Sequence, residues 1–283
     1  MPAQNIILLI AMLFLSGSCR LSSEKEKEFT SVKIPSSEKI AQAANDSIAL
    51  AKDSLRIDSA LNAALQLAQQ NNQEAYTDSL FFVYDSSTVL QLHLSVGRFF
   101  SSKFRHMHVR IRYNGTVGNT IHNVYRLDEK KPAHVLSSIH WDLESPADSI
   151  GDINGDGFKD LSLCWYGVTG CCMRHTYDVY VYNPSDGSFQ DAQYFLSPSF
   201  SPVEKAVRGV GYGHPGETDL YKYIWVGPTA NLVEKIIPDK THKDQYLRKI
   251  FKSGKLLLRE EKMRKLPKEY EKITGLDWFL GTI

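Results

Sequence analysis

With 33 Lys+Arg against 32 Asp+Glu, the 283-residue chain carries a formal charge of +1 and lacks the excess that a nucleic-acid backbone would demand. A hydrophobic share of 42% beside 23% charged residues is ordinary globular composition and excludes wholesale disorder or a collagen-like repeat. Four cysteines are too few to build a fold on disulfides, while 14 Tyr and 13 Phe lean towards sheet.

The first signal in chain order is Ile6 to Leu15, an apolar run about half as long as a membrane-spanning helix needs. Ser16-Gly17-Ser18 and Cys19 follow, and then the polar run Arg20-Leu21-Ser22-Ser23-Glu24-Lys25. That order reads as a signal peptide over residues 1–18. A cysteine directly behind small residues resembles the lipobox of bacterial lipoproteins. The resemblance implies that Cys19 takes a lipid, becomes the first residue of the mature chain and anchors it to an envelope membrane.

Residues 19–35 are polar and charged and read as a tether. Residues 36–75 read as helical, with neither Gly nor Pro between Ser36 and Asn72. Ile40, Ala44, Ile48, Ala51 and Leu55 fall at steps of four and three and form an apolar stripe. The stripe slips at Ile57 and resumes through Leu61, Leu65 and Ala68. This spacing predicts a stalk or packing helix.

From Tyr76 the period changes to two. Leu80–Tyr84, Val89–Leu94, Met107–Tyr113, Ile121–Leu127, Val135–Trp141, Tyr177–Tyr182 and Tyr221–Val226 alternate as strands do. Turn signals such as Asn114-Gly115, Asp186-Gly187 and Gly227-Pro228 separate them. Residues 76–238 are therefore expected to be mainly β and antiparallel. Residues 239–283 read as a basic tail. Over 239–272 they hold twelve Lys/Arg against six Asp/Glu, with a short helix expected over Leu256–Lys265 and a break at Pro267. The apolar Leu276–Leu280 is expected to dock the terminus onto the body.

The sharpest motif lies at 152–160. Side-chain oxygens fall at Asp152, Asn154, Asp156 and Asp160, with Gly157 behind the third of them. Alternate side chains in such a loop turn to one point, and Phe158 would add its backbone carbonyl. The set suits Ca²⁺, a hard cation that takes six to eight oxygens. The loop is not an EF-hand, because Leu163 stands where the bidentate Glu belongs and a strand pattern follows. The alternative is an Asp/Asn/Gly turn that keeps its bend by side-chain to backbone hydrogen bonds alone.

The run Asp152–Asp160, followed by Tyr177–Phe189, Leu196-Ser197 and Tyr221–Trp225, resembles FG-GAP/VCBS-type calcium blades. It is similar over about residues 150–237 to single-blade bacterial envelope proteins. Some of those relatives are periplasmic immunity or lysozyme-inhibitor-type lipoproteins directed at peptidoglycan hydrolases. The resemblance implies a single-blade or partial-propeller-like β domain, a calcium ion in the loop, and a non-enzymatic binding role.

Cys164, Cys171 and Cys172 bracket a short loop. In an oxidising compartment a bridge from Cys164 to either of the others would close it, leaving one thiol over. His106 and His108 share a strand face, and His93, His122, His134 and His140 lie on neighbouring strands. No HExxH or Cys/His zinc spacing accompanies them, so they read as ordinary strand residues. No P-loop, GxSxG or GxGxxG occurs, and Glu217 and Asp219 have no evident catalytic companion. The expectation is a lipid-anchored envelope binding module with a protein or cell-wall glycan partner and no nucleic acid. The alternatives are an envelope hydrolase with an unrecognised site and a structural surface lipoprotein.

Overall fold

The structure, a computed structural model, describes residues 37–282 except 87, 115–118, 128–130, 142–143, 167–174, 243–244 and 253. The signal segment, Cys19, the tether, Cys171 and Cys172 lie outside the described residues. The chain divides into residues 1–44 and 45–283. The described residues are mainly β and antiparallel, about half of them in strands, with one long N-terminal helix.

Helix α1 (Ser37–Gln70) runs without a break. Its C-terminal part packs, and alanines make the close approach: Ala60, Ala64 and Ala68, four residues apart, are 0–2% exposed. Ile57, Leu61 and Leu65 flank them. The expected stripe does not pack along its whole length, since Ile48 and Leu55 are 67% and 70% exposed. Contact begins near Asp53, whose carboxylate accepts the Tyr113 hydroxyl. Beside it, Arg56 donates to Tyr113 at 3.1 Å and lies over the Tyr84 ring.

Three sheets follow in chain order. The first contains β1 (Tyr76–Val83), β2 (Val89–Gly97), β3 (His106–Tyr113), β4 (Asn119–Arg126) and β5 (Ala133–Trp141), each paired with its neighbour in the chain. The second has the order β11-β8-β7-β6, from β6 (Glu144–Gly151), β7 (Asp160–Tyr166), β8 (His175–Tyr180) and β11 (Gln193–Leu196). Between β8 and β11 lies a hairpin of β9 (Tyr182–Asn183) and β10 (Ser188–Phe189). The third sheet runs through β12 (Pro198–Ser201), β13 (Ala206–Val210), β14 (Leu220–Val226), β15 (Thr229–Pro238), β16 (Tyr246–Lys252) and β17 (Leu256–Met263).

Alternation along the strands gives the first sheet two buried faces. Leu90, Leu92 and Leu94 of β2, with Met107, Val109 and Ile111 of β3, pack under α1. Val124 and Leu136, on the other face, meet Leu161, Leu163 and Tyr180 of the second sheet. A third core joins Val179, Val181 and Phe195 to Val207, Tyr221 and Trp225 of the third sheet.

The segment 239–263 corrects the expectation of a helical basic tail. Leu256–Lys265 does not form a helix; β16 and β17 extend the third sheet instead. The physical reason is cross-strand charge pairing, because Arg248 faces Glu261 and Lys249 faces Glu260 in the register. Both pairs make contact, at 3.1 and 3.4 Å. A 3₁₀ turn (Lys268–Tyr270) and α2 (Leu276–Leu280) then bring Tyr270 and Phe279 onto Val210, Leu220 and Ile236. Docking of the terminus is thus as expected, and Trp278 Nε1 donates to the Gly213 carbonyl at 2.9 Å.

Candidate functional site

The loop between β6 and β7 has the inward-turned side chains read from the motif. Gly155 and Gly157 take left-handed φ values of 76° and 89°. At Gly155 a side chain is doubly excluded, since a Cβ would lie 2.2 Å from the Pro202 carbonyl oxygen. Asp152 Oδ1 accepts the Gly155 N–H at 2.7 Å and its Oδ2 the Gly157 N–H at 3.0 Å. Asn154 Oδ1 accepts from Asp156 N at 3.0 Å, and Asp156 Oδ1 accepts from Phe158 N at 2.9 Å. Asn154 Nδ2 donates to Asp156 Oδ2 at 2.9 Å. The bend is therefore held by hydrogen bonds of its own. Each of these oxygens retains a second lone pair, so an all-oxygen set of Asp152, Asn154 and Asp156 fits a hard cation.

Asp160 plays a different part. It is fully buried, and its Oδ2 accepts from Ile153 N at 2.9 Å while Oδ1 accepts from Tyr182 N at 3.0 Å. Burial pushes its carboxyl up to about 6, against these two N–H groups and with a contribution from the Asp156 charge. The loop is also a link between cores. Phe158 packs into the core between the first and second sheets, and Ile153 into the core between the second and third.

Among the described residues, the three His, Cys, Asp or Glu side chains whose ligand atoms lie within 4.8 Å of one another are outside this loop: His108, His122 and Asp148. They belong to a polar layer between the first and second sheets. His108 of β3 and His122 of β4 project from the first sheet, with Nε2 of the former 3.1 Å from Nδ1 of the latter and their rings stacked. Asp148 of β6 comes from the second sheet. Its Oδ1 accepts Arg110 Nη1 at 2.5 Å, and its Oδ2 is 3.8 Å from His108 Nδ1. Next to them His140 stacks on Trp165 and lies 3.5 Å from Asp178 Oδ2.

Burial holds His108 down to about 4, and burial followed by the neighbouring His108 holds His122 down to about 3. At Asp148 burial works upward, but Arg110 and then the two histidines outweigh it and keep the carboxyl below its ordinary value. The spacing of His106, His108 and Arg110 places them on one strand face in the sequence. That β6 would cover that face with a carboxylate has no local signal.

Cys164 is buried on β7 opposite Tyr177 of β8, and burial pushes its thiol up. The expected bridge to Cys171 or Cys172 lies outside the described residues. Asp219 pairs with Lys235 at 2.7 Å. Both line an open cleft of about 210 Å³ with Tyr194, Tyr212, Tyr221 and Tyr223.

Fold and site define a mainly β protein of three meandering sheets with a candidate cation loop at 152–160. No protein family matches the chain, and no curated protein or solved structure matches it.

Proposed function

We propose that the chain is an envelope lipoprotein anchored at Cys19, whose β body binds a cell-wall glycan. Its loop at Asp152, Asn154, Asp156 and Phe158 holds Ca²⁺ as a structural brace. The observation that carries the binding role is the tyrosine cleft. Tyr194 and Tyr212 are exposed there, beside the Asp219–Lys235 pair. Aromatic faces cover the C–H faces of a sugar, and a charged pair meets its hydroxyl and acidic groups. A protein that works on the cell wall is the other partner the reading admits.

The test uses a Cys19→Ala form, expected in the soluble rather than the membrane fraction, titrated with soluble peptidoglycan fragments. Saturable binding is expected, with Tyr212→Ala weakening it by about tenfold, the share of one aromatic contact. Failure of both proteins to bind removes the glycan. Retention of Cys19→Ala in the membrane removes the lipid anchor.

Calcium would supply charge balance for the loop carboxylates, and the chain's own residues would orient them through the four N–H contacts described. Extracellular calcium modules have dissociation constants of about 10⁻⁴ to 10⁻³ M, so about 2 mM Ca²⁺ would stabilise the fold by roughly 0.6–1.8 kcal/mol. A melting shift of a few degrees, lost on chelation and in Asp156→Ala, is expected. A melting curve indifferent to chelator would leave the loop as a hydrogen-bonded turn only.

A further inference from the structure

The layer between the first and second sheets has a donor set of another kind. One ligand atom from each of His108, His122 and Asp148 lies within 4.8 Å of the others. The two facing imidazole nitrogens are 3.1 Å apart. Two zinc–nitrogen bonds of about 2.0–2.1 Å at a tetrahedral angle place their nitrogens roughly 3.3 Å apart, so little movement separates the pair from coordination.

The strands fix the geometry. The register sets Arg110 opposite His122, which places His108 and His122 diagonally on adjacent strands. Arg110 holds Asp148 by Oδ1, and Oδ2 lies 3.8 Å from His108 Nδ1, the ring nitrogen that does not face His122. A carboxylate held in this way is oriented to offer one oxygen. Asp148 sits on β6, the edge strand of its sheet, and its side chain is 21% exposed, which gives an ion a route in.

We infer that His108, His122 and Asp148 form a site for a divalent transition metal, Zn²⁺ in the first instance, with a coordination position open towards the Asp148 edge. Imidazole with carboxylate suits zinc-like ions, whereas the all-oxygen loop at 152–160 suits calcium. Three protein ligands leave a place for water or for an anionic group of a partner. Arg110, the cation nearest the carboxylate, opposes the ion's charge and keeps the site from being among the tightest.

The test is a titration of the full-length, untagged protein, stripped with chelator and then freed of it, with Zn²⁺ and separately with Co²⁺. One equivalent is expected at micromolar affinity or better, with cobalt d–d bands and no thiolate charge-transfer band. His108→Gln and Asp148→Asn should each weaken binding by at least about 100-fold, more than the loss of a merely supporting group. Asp156→Ala should leave zinc binding unchanged. Circular dichroism checks the fold, and the partly exposed Asp148 supplies the informative variant if His108→Gln unfolds. Absence of stoichiometric binding overturns the site. So does a thiolate band, which would put the ion on cysteine, or an affinity unchanged in Asp148→Asn.

Discussion

Replacing Arg248 by Ala is expected to destabilise the protein by about 3–5 kcal/mol, the range for removing one partner of a buried ion pair. Glu234, on β15, is 2% exposed. Arg248 Nε donates to its Oε2 at 2.6 Å, Nη2 reaches the same oxygen, and the Tyr270 hydroxyl donates to Oε1 at 2.6 Å. Burial, together with the Glu234 charge, drives the Tyr270 phenol far above its usual value. Without the guanidinium, the carboxylate stays buried with Tyr270 and, among the described residues, without an ion-pair partner. Glu261→Ala removes the outer member of the same network and should cost about 1 kcal/mol or less, as partly exposed pairs do. Urea denaturation of the two variants reads the difference. A cost below about 1 kcal/mol for Arg248→Ala would show that the pair does not hold the third sheet together.

Asp160→Ala is expected to cost about 2–6 kcal/mol, because it strands the N–H groups of Ile153 and Tyr182, each at about 1–3 kcal/mol. The pH dependence has a definite sign. The carboxyl is raised in the folded protein to about 6 from an ordinary 3.8, so the native state holds this proton more tightly than the unfolded chain. Its contribution is most favourable below about 4 and is lost as pH rises through about 6, by up to about 3 kcal/mol. In chelator, the stability margin of the wild type over Asp160→Asn should therefore narrow between pH 4 and pH 7. A margin flat across that interval would mean that the carboxyl is already ionised at pH 4.

The five strands of the first sheet were legible locally. The loop at 152–160 announces its bend through Gly155 and Gly157, and the period of two from Tyr76 onward marks strands that exist. Four features were not legible, each for a reason of packing. Leu256-Leu257-Leu258 followed by Arg259 and Glu260 fits a helix as well as a strand. Only the free edge of β16, with Arg248 and Lys249 set to meet the acids, decides for β17. The stripe on α1 looks continuous to a count of threes and fours, yet Ile48 and Leu55 stay exposed while the three alanines approach the sheet. His108 and His122 have no spacing that marks a site, because the carboxylate that completes their cluster arrives from a strand of another sheet. Asp160, one more expected oxygen for an ion, differs from Asp152 in being fully buried, with its oxygens on the N–H groups of Ile153 and of Tyr182, a residue of the next hairpin.

The meander has a consequence for how the chain reaches this state. Every strand of the first and third sheets pairs with its neighbour in the chain, and the second sheet departs from this only where β11 returns to β8. Each sheet is therefore a self-contained stretch of sequence, 76–141, 144–196 and 198–263. Closing the short loops within a sheet takes little entropy, so a chain made from its N-terminus can complete each ladder as that sheet's last strand emerges. Docking of one sheet on the next comes afterwards. His108 and His122 are then still hydrated when their own strands have paired, and stripping water from those two rings belongs to the late step in which β6 and β7 close over them. Mutations in that layer should act on the speed of this closing step more than on the early pairing of β3 with β4.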